Sequence, residues 1–230
     1  MTPARIRTSA TPHTDCAAFL AAALKHAYTE RGRATWAVCG GSTPAAAYQA
    51  LADTALDWSR VQLYFGDERC VPPDSPDSTF ALVQVELVDR IGGAKPQIHR
   101  MRGEDPDYAK AAKDYADLLP EQLDLILLGM GPDGHTASLF PGARAAMKSE
   151  ELVVPIVGPK PPPQRLTLTP RAIQSARECV ALVTGAGKAD MVARVLEGPM
   201  QSTTLPAQIA RHGTWFLDGA AAAALEANDS

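Results

Sequence analysis

Asp133 and His135 stand two residues apart in GMGPDGHTASLFPG (129–142), the one place where a histidine of this chain sits among glycines, prolines and an aspartate. A histidine takes up and returns protons near neutral pH, with an unperturbed pKa of about 6.5, and a carboxylate held beside it fixes its tautomer. Such a pair can act as a general base. The competing reading is a loop histidine that merely caps a turn. Metal binding matches less well, because no second histidine lies close by and HExxH is absent. A serine nucleophile would want GxSxG, which does not occur.

Three further clusters carry polar residues suited to holding an anion. In CGGSTP (39–44), Gly40 and Gly41 permit a tight turn, Ser42 and Thr43 offer hydroxyls, and Pro44 suits the first position of a helix. Free N–H groups at a helix start can seat a phosphate, although many such caps bind nothing. Neither GxxxxGK[ST] nor GxGxxG is present. In YFGDERCVPPDSPDST (64–79), Asp67, Glu68 and Arg69 crowd the end of an apolar run; the alternative is a solvated turn. In TGAGKADM (184–191), Lys188 follows Gly185 and Gly187 at a helix start, where it can meet a phosphate as a point charge or lie in solvent. Arg165, beside the stiff surface loop GPKPPPQ (158–164), is a further candidate anion clamp.

These clusters need elements to position them, and strand-like and helix-like stretches alternate along the chain. TWAVCG, VQLYFGDE, QIHRM, LDLILLGMG, ELVVPIV, RLTLT, ECVALVTG and TWFLDG read as strands. Between them, AAAYQALAD, DSTFALVQVELVDRI, DYAKAAKDYADLL and KADMVARVLEG have helical spacing. PRAIQSA reads as a short helix capped by Thr169, and AAAALEA completes the series. Alternation of this kind predicts one Rossmann-like α/β domain over residues 1–230, its mostly parallel central sheet covered by helices on both faces. Ligands of such sheets lie outside the carboxyl ends of the strands, where the polar clusters fall.

Composition narrows the function. A formal net charge of −4 with scattered basic residues argues against nucleic acid as a partner. No apolar run approaches the roughly 20 residues of a membrane span. CAAFLAAAL has the outline of a secretory signal, but Asp15 opens it and KHAYTERG continues it, which reads as an amphipathic helix ending near Gly32. Cys16, Cys39, Cys70 and Cys179 are widely spaced without a CxxC pair, so reduced thiols in a cytoplasmic protein are expected.

Taken together, GGSTP, FGDERCVP, LLGMGPDGHTASLFPG, RLTLT and TGAGK occur in the order and approximate spacing of the 6-phosphogluconolactonases. The resemblance runs from about residue 35 to WFLDG near 218 and covers most of the chain. It implies hydrolysis of 6-phospho-D-glucono-1,5-lactone, the second step of the oxidative pentose phosphate pathway, by a monomer with no cofactor and no metal. By position, His135 resembles the family's general base with Asp133 beside it. Gly41, Ser42 and Thr43 resemble part of the substrate pocket, and Arg69, Arg165 and Lys188 the residues that face the phosphate. Asp67 matches an acidic position. The family often has Ser-Asn after the DER stretch; here Ser78 is followed by Thr79, which cannot reproduce an amide's paired donor and acceptor.

Two other readings compete. The related amino-sugar phosphate deaminases and isomerases place a glutamate soon after the histidine, whereas TASLFPG holds no carboxylate. A sugar-phosphate-binding regulator without catalysis would be expected to carry a basic DNA-binding segment, and none is visible.

Overall fold

Runs of apolar residues without polar alternation belong in strands covered on both faces. In the computed structural model, which describes residues 4–226, they form the centre of a parallel sheet. Its strands are β1 (Arg5–Thr8), β2 (Ala34–Val38), β3 (Val61–Phe65), β5 (Gln97–Ile98), β6 (Leu125–Leu128), β9 (Glu178–Val183) and β10 (Thr214–Leu217), the numbers β4, β7 and β8 belonging to a second sheet. The order is β1-β10-β9-β6-β2-β3-β5, and every pairing is parallel. Every residue of β2, β6 and β10 is buried, so both faces are covered.

Helices α1 (Pro12–Arg31), α2 (Ser42–Ala52), α3 (Thr79–Val83), α4 (Tyr108–Leu118), α5 (Arg144–Met147), α6 (Pro170–Ser175) and α7 (Ala189–Leu196) join the strands. α1 buries Cys16, Leu20, Leu24 and Ala27 on one face and stops at Gly32, whose φ of 82° supplies the left-handed cap. The stretch expected to be helical after the DER cluster is α3 followed by one π-helical turn, Gln84–Val88. Thr169 precedes α6 without capping it; its hydroxyl donates to the Glu151 carbonyl.

The structure corrects the sequence reading in three places. ELVVPIV and RLTLT do not join the main sheet. As β7 (Val153–Val157) and β8 (Gln164–Leu168), they form an antiparallel sheet in the order β4-β8-β7 with β4 (Asp67–Arg69). Pro44 is the third residue of α2, not the first, and Gly41 takes the cap position with a φ of 114°. AAAALEA, whose last residue lies outside the described residues, is a set of turns over residues 221–225, with Ala221 N donating to the Asp218 carboxylate. Cys16, Cys39 and Cys179 are buried free thiols, and Cys70 is a half-buried one.

Strand order decides where a site can lie. β3 and β5 extend the sheet to one side of β2, while β6, β9 and β10 extend it to the other. The loops leaving β2 and β6 therefore diverge and open a crevice at the carboxyl ends. The loops that follow β9, β6, β2 and β3, four adjacent strands, carry the four polar clusters.

Candidate active site

A cavity of about 280 Å³ occupies that crevice, the size class of a small metabolite. Gly41, Ser42, Thr43, Asp67, Arg69, His135, Arg165 and Lys188 all line it. Asp133 stands behind His135, its Oδ1 hydrogen-bonded to Nδ1. The loop is turned so tightly here that Gly131 N donates to the His135 carbonyl at 2.9 Å, and Gly134 N to the Gly131 carbonyl at 3.0 Å. Gly134 has a φ of 80°, a conformation that glycine adopts freely. Phe140 lies against the imidazole, with ring centroids 4.8 Å apart.

Burial pushes the His135 pKa below its ordinary value, with Asp133 acting in the opposite direction. The ring is therefore neutral at pH 7. Burial raises Asp133, but the hydrogen bonds and charge of His135, then Lys160, bring it below the usual carboxylate range. An ionised Asp133 accepting from Nδ1–H leaves the Nε2 lone pair as the basic site.

The small sheet supplies the opposite wall. Side chains alternate along β4, so Asp67 and Arg69 share one face and Glu68 takes the other. In the antiparallel register Arg69 pairs with Arg165, and Asp67 with Thr167. Asp67 is buried and accepts from the Ser138 hydroxyl at 2.5 Å, while Ser138 N donates to the Thr167 hydroxyl at 3.2 Å. Ala137, beside Ser138, is held at φ 47°, a conformation uncommon outside glycine.

Each cation is aimed by backbone carbonyls. Arg165 donates from Nε to Pro162 at 3.1 Å and from Nη2 to Lys160 at 3.4 Å, with its guanidinium 5.6 Å from the Phe140 ring centre. Arg69 donates from Nη1 to the Asp77 carbonyl at 2.6 Å, and its buried Nε has no partner among the described residues. Lys188 closes a 3₁₀ turn (Ala186–Lys188) and reaches the Met130 carbonyl at 2.7 Å. Burial lowers the pKa of both Arg165 and Lys188, and neighbouring Arg69 and Lys160 respectively act in the same direction.

Behind the lining stand supporting residues whose roles only the structure shows. Glu68, buried at 3% exposure, accepts from Arg69 N, Thr79 N, Phe80 N and the Ser78 hydroxyl, fixing the start of α3. Burial raises its pKa and these four donors hold it back. Asp218 accepts from Gly185 N and so anchors the loop before Lys188. Thr79 is not a lining residue; its buried, unpartnered hydroxyl sits behind Gly40, 2.9 Å from where a Cβ would stand. The period of two along DER, and Ser138 three residues beyond His135, are the signals that could have pointed to this wall.

With that geometry in place, the chain matches the family model described as Glucosamine-6-phosphate isomerases/6-phosphogluconolactonase over residues 7–217, and it belongs to that family. A Mycobacterium leprae protein named 6-phosphogluconolactonase is 37% identical over 222 residues, spanning 89% of this chain and 90% of its own. The human protein of that name is 41% identical over 177 residues, 71% of this chain and 68% of its own. Among solved structures, a 6-phosphogluconolactonase from Shewanella baltica superposes with a TM-score of 0.84 at 28% identity, covering 95% of this chain and 97% of that one.

Proposed function

We propose that this protein hydrolyses 6-phospho-D-glucono-1,5-lactone to 6-phosphogluconate, the lactone-opening step of the oxidative pentose phosphate pathway. The observation that carries the reading is the pairing, in one cavity, of a histidine oriented by a carboxylate with three cations from three other elements. A δ-lactone is an activated ester, so water needs a base and no covalent nucleophile. His135 takes a proton from water at Nε2 as the oxygen adds to C1. The tetrahedral intermediate then expels the ring oxygen, C1–O5 breaks, and His135 returns the proton to O5. Arg69, Arg165 and Lys188, with the first turn of α2 at Ser42 and Thr43, hold the phosphate. Binding that remote dianion positions C1 against the base.

The deaminase and isomerase branch needs a further acid/base group. Residues 136–142 contain no carboxylate, and the Asp67 carboxylate in the cavity is engaged by Ser138. One assay pair tests the choice on EDTA-treated protein. Lactone hydrolysis is followed above its spontaneous background, alongside ammonia release from glucosamine 6-phosphate. Fast hydrolysis without ammonia is expected; ammonia release without hydrolysis would overturn the reading.

A further inference from the structure

The proline-rich loop joining β7 to β8 carries a cation at its tip that the reading above leaves unused. Lys160 Nζ lies 3.7 Å from Asp133 Oδ2, the oxygen that does not serve His135 Nδ1. Among the described residues, the Lys160 side chain makes no hydrogen bond and pairs with no other carboxylate. Its backbone is held tightly. Prolines at 159, 161, 162 and 163 restrict the chain, Gly158 N donates to the Pro163 carbonyl at 2.7 Å, and Arg165 grips the carbonyls of Lys160 and Pro162. Gly158 presses on Phe140 so closely that a Cβ there would fall 2.6 Å from the ring, and Phe140 packs on His135. The stem of Lys160 thus rises from a backbone held in place at the hairpin tip, within reach of Asp133.

An ion pair exposed at 47% and 34% adds little to stability. Its consequence lies in the charge it sets beside the histidine. We propose that Lys160 is a positioning residue, holding the second oxygen of Asp133 and so limiting how strongly that carboxylate bears on the His135 imidazole. The proposal rests on His135 being the base that the hydrolysis uses. Other charged groups face the same space: Asp67 and Arg69 from β4, Arg165 from β8, and Lys188 from the turn after β9. Each of these is tied to a carbonyl or hydroxyl of the wall, whereas among the described residues Lys160 is the one lysine or arginine that forms an ion pair with Asp133. Lys160 and Asp133 act in opposite directions on His135, the lysine favouring the neutral ring.

The test is titration of the His135 ring by NMR in the ligand-free protein, for the parent, Lys160→Gln and Lys160→Arg. Loss of the His135 signals in His135→Gln assigns them. Removing one unit charge at this range should move the midpoint up by on the order of half a pH unit at low salt, and less at high salt. Lys160→Arg should titrate like the parent. The Lys160 carbonyl that Arg165 grips is retained in both variants, so the loop keeps its shape. An unmoved midpoint in Lys160→Gln overturns the proposal, as does an unmoved midpoint with a raised KM confined to the phosphorylated lactone, which would make Lys160 a phosphate contact. A moved midpoint that the acid limb of kcat/KM does not follow supports the coupling and instead overturns His135 as the base.

Discussion

Arg69 and Arg165 stand directly opposite one another across the antiparallel β4–β8 pair, both lining the cavity. Like charges in that position repel, and burial sharpens the repulsion. An arrangement that costs free energy when empty is relieved by an anion lying between the guanidiniums.

Arg165→Met should therefore raise KM for the phosphorylated lactone about 10- to 100-fold, the worth of a charge-assisted hydrogen bond. Turnover of unphosphorylated gluconolactone should hardly change. Inorganic phosphate should raise the Tm of the parent and do so less in the variant. Equal losses on both lactones would remove Arg165 from phosphate recognition.

His135→Ala should lower kcat by a factor of about 100 to 10,000, the usual contribution of a general base, with the circular dichroism spectrum preserved. Because burial depresses the pKa of His135, activity should hold at pH 7 and fall only as pH drops below the ordinary 6.5. The same shift has a stability consequence. Between the depressed folded value and about 6.5 the unfolded chain binds more protons, so stability rises with pH across that window and is lost below it. Denaturant titrations of parent and variant at several pH values would expose this slope, which His135→Ala should flatten.

Gly131 lies under the Asp133–His135 pair: a Cβ there would come 2.0 Å from His135 Nδ1 and 2.6 Å from Asp133 Oδ1. Gly131→Ala must push the imidazole aside. Since a displacement of about 1 Å can cost about 100-fold, kcat should fall by at least that much with KM little altered. A fully active variant would show that the loop tolerates another ring position.

Glu68→Ala strips the acceptor from four donors, two of them fully buried, and should destabilise the fold by about 3 kcal/mol, from roughly 1–3 kcal/mol for a buried group left unpaired. Glu68→Gln should recover little, because its NH2 would face N–H donors. Chemical denaturation monitored by tryptophan fluorescence provides the measurement.

The parts that could be read from sequence are those with a local signature. LILL, after Asp124, is apolar without a break and turns abruptly to glycine, so both β6 and the His135 loop announce themselves. The phosphate candidates were legible because glycine, hydroxyl and lysine cluster after strands. Pairing was not legible: VVPIV and QRLTL look like any strands, and only the tertiary register shows that QRLTL pairs with DER, and VVPIV with QRLTL, instead of joining the main sheet. β1, RIRT, is exposed throughout and carries no apolar pattern, so it went unread until its pairing with β10 showed it. Lys160 looked like solvent-facing loop because its meaning comes from Asp133, far away in sequence.

The division into two sheets also bears on how this fold can change over time. The Asp133–His135 pair belongs to a loop of the large sheet, while two of the three cavity cations ride on the small one. Direct hydrogen bonds from Ser138, to the Asp67 carboxylate and the Thr167 hydroxyl, form a joint between the two modules. On the proposed function, mutations in the small module can retune which anion is gripped without disturbing the buried strands that position His135. New substrate preferences are thereby accessible one substitution at a time, provided the serine joint is kept.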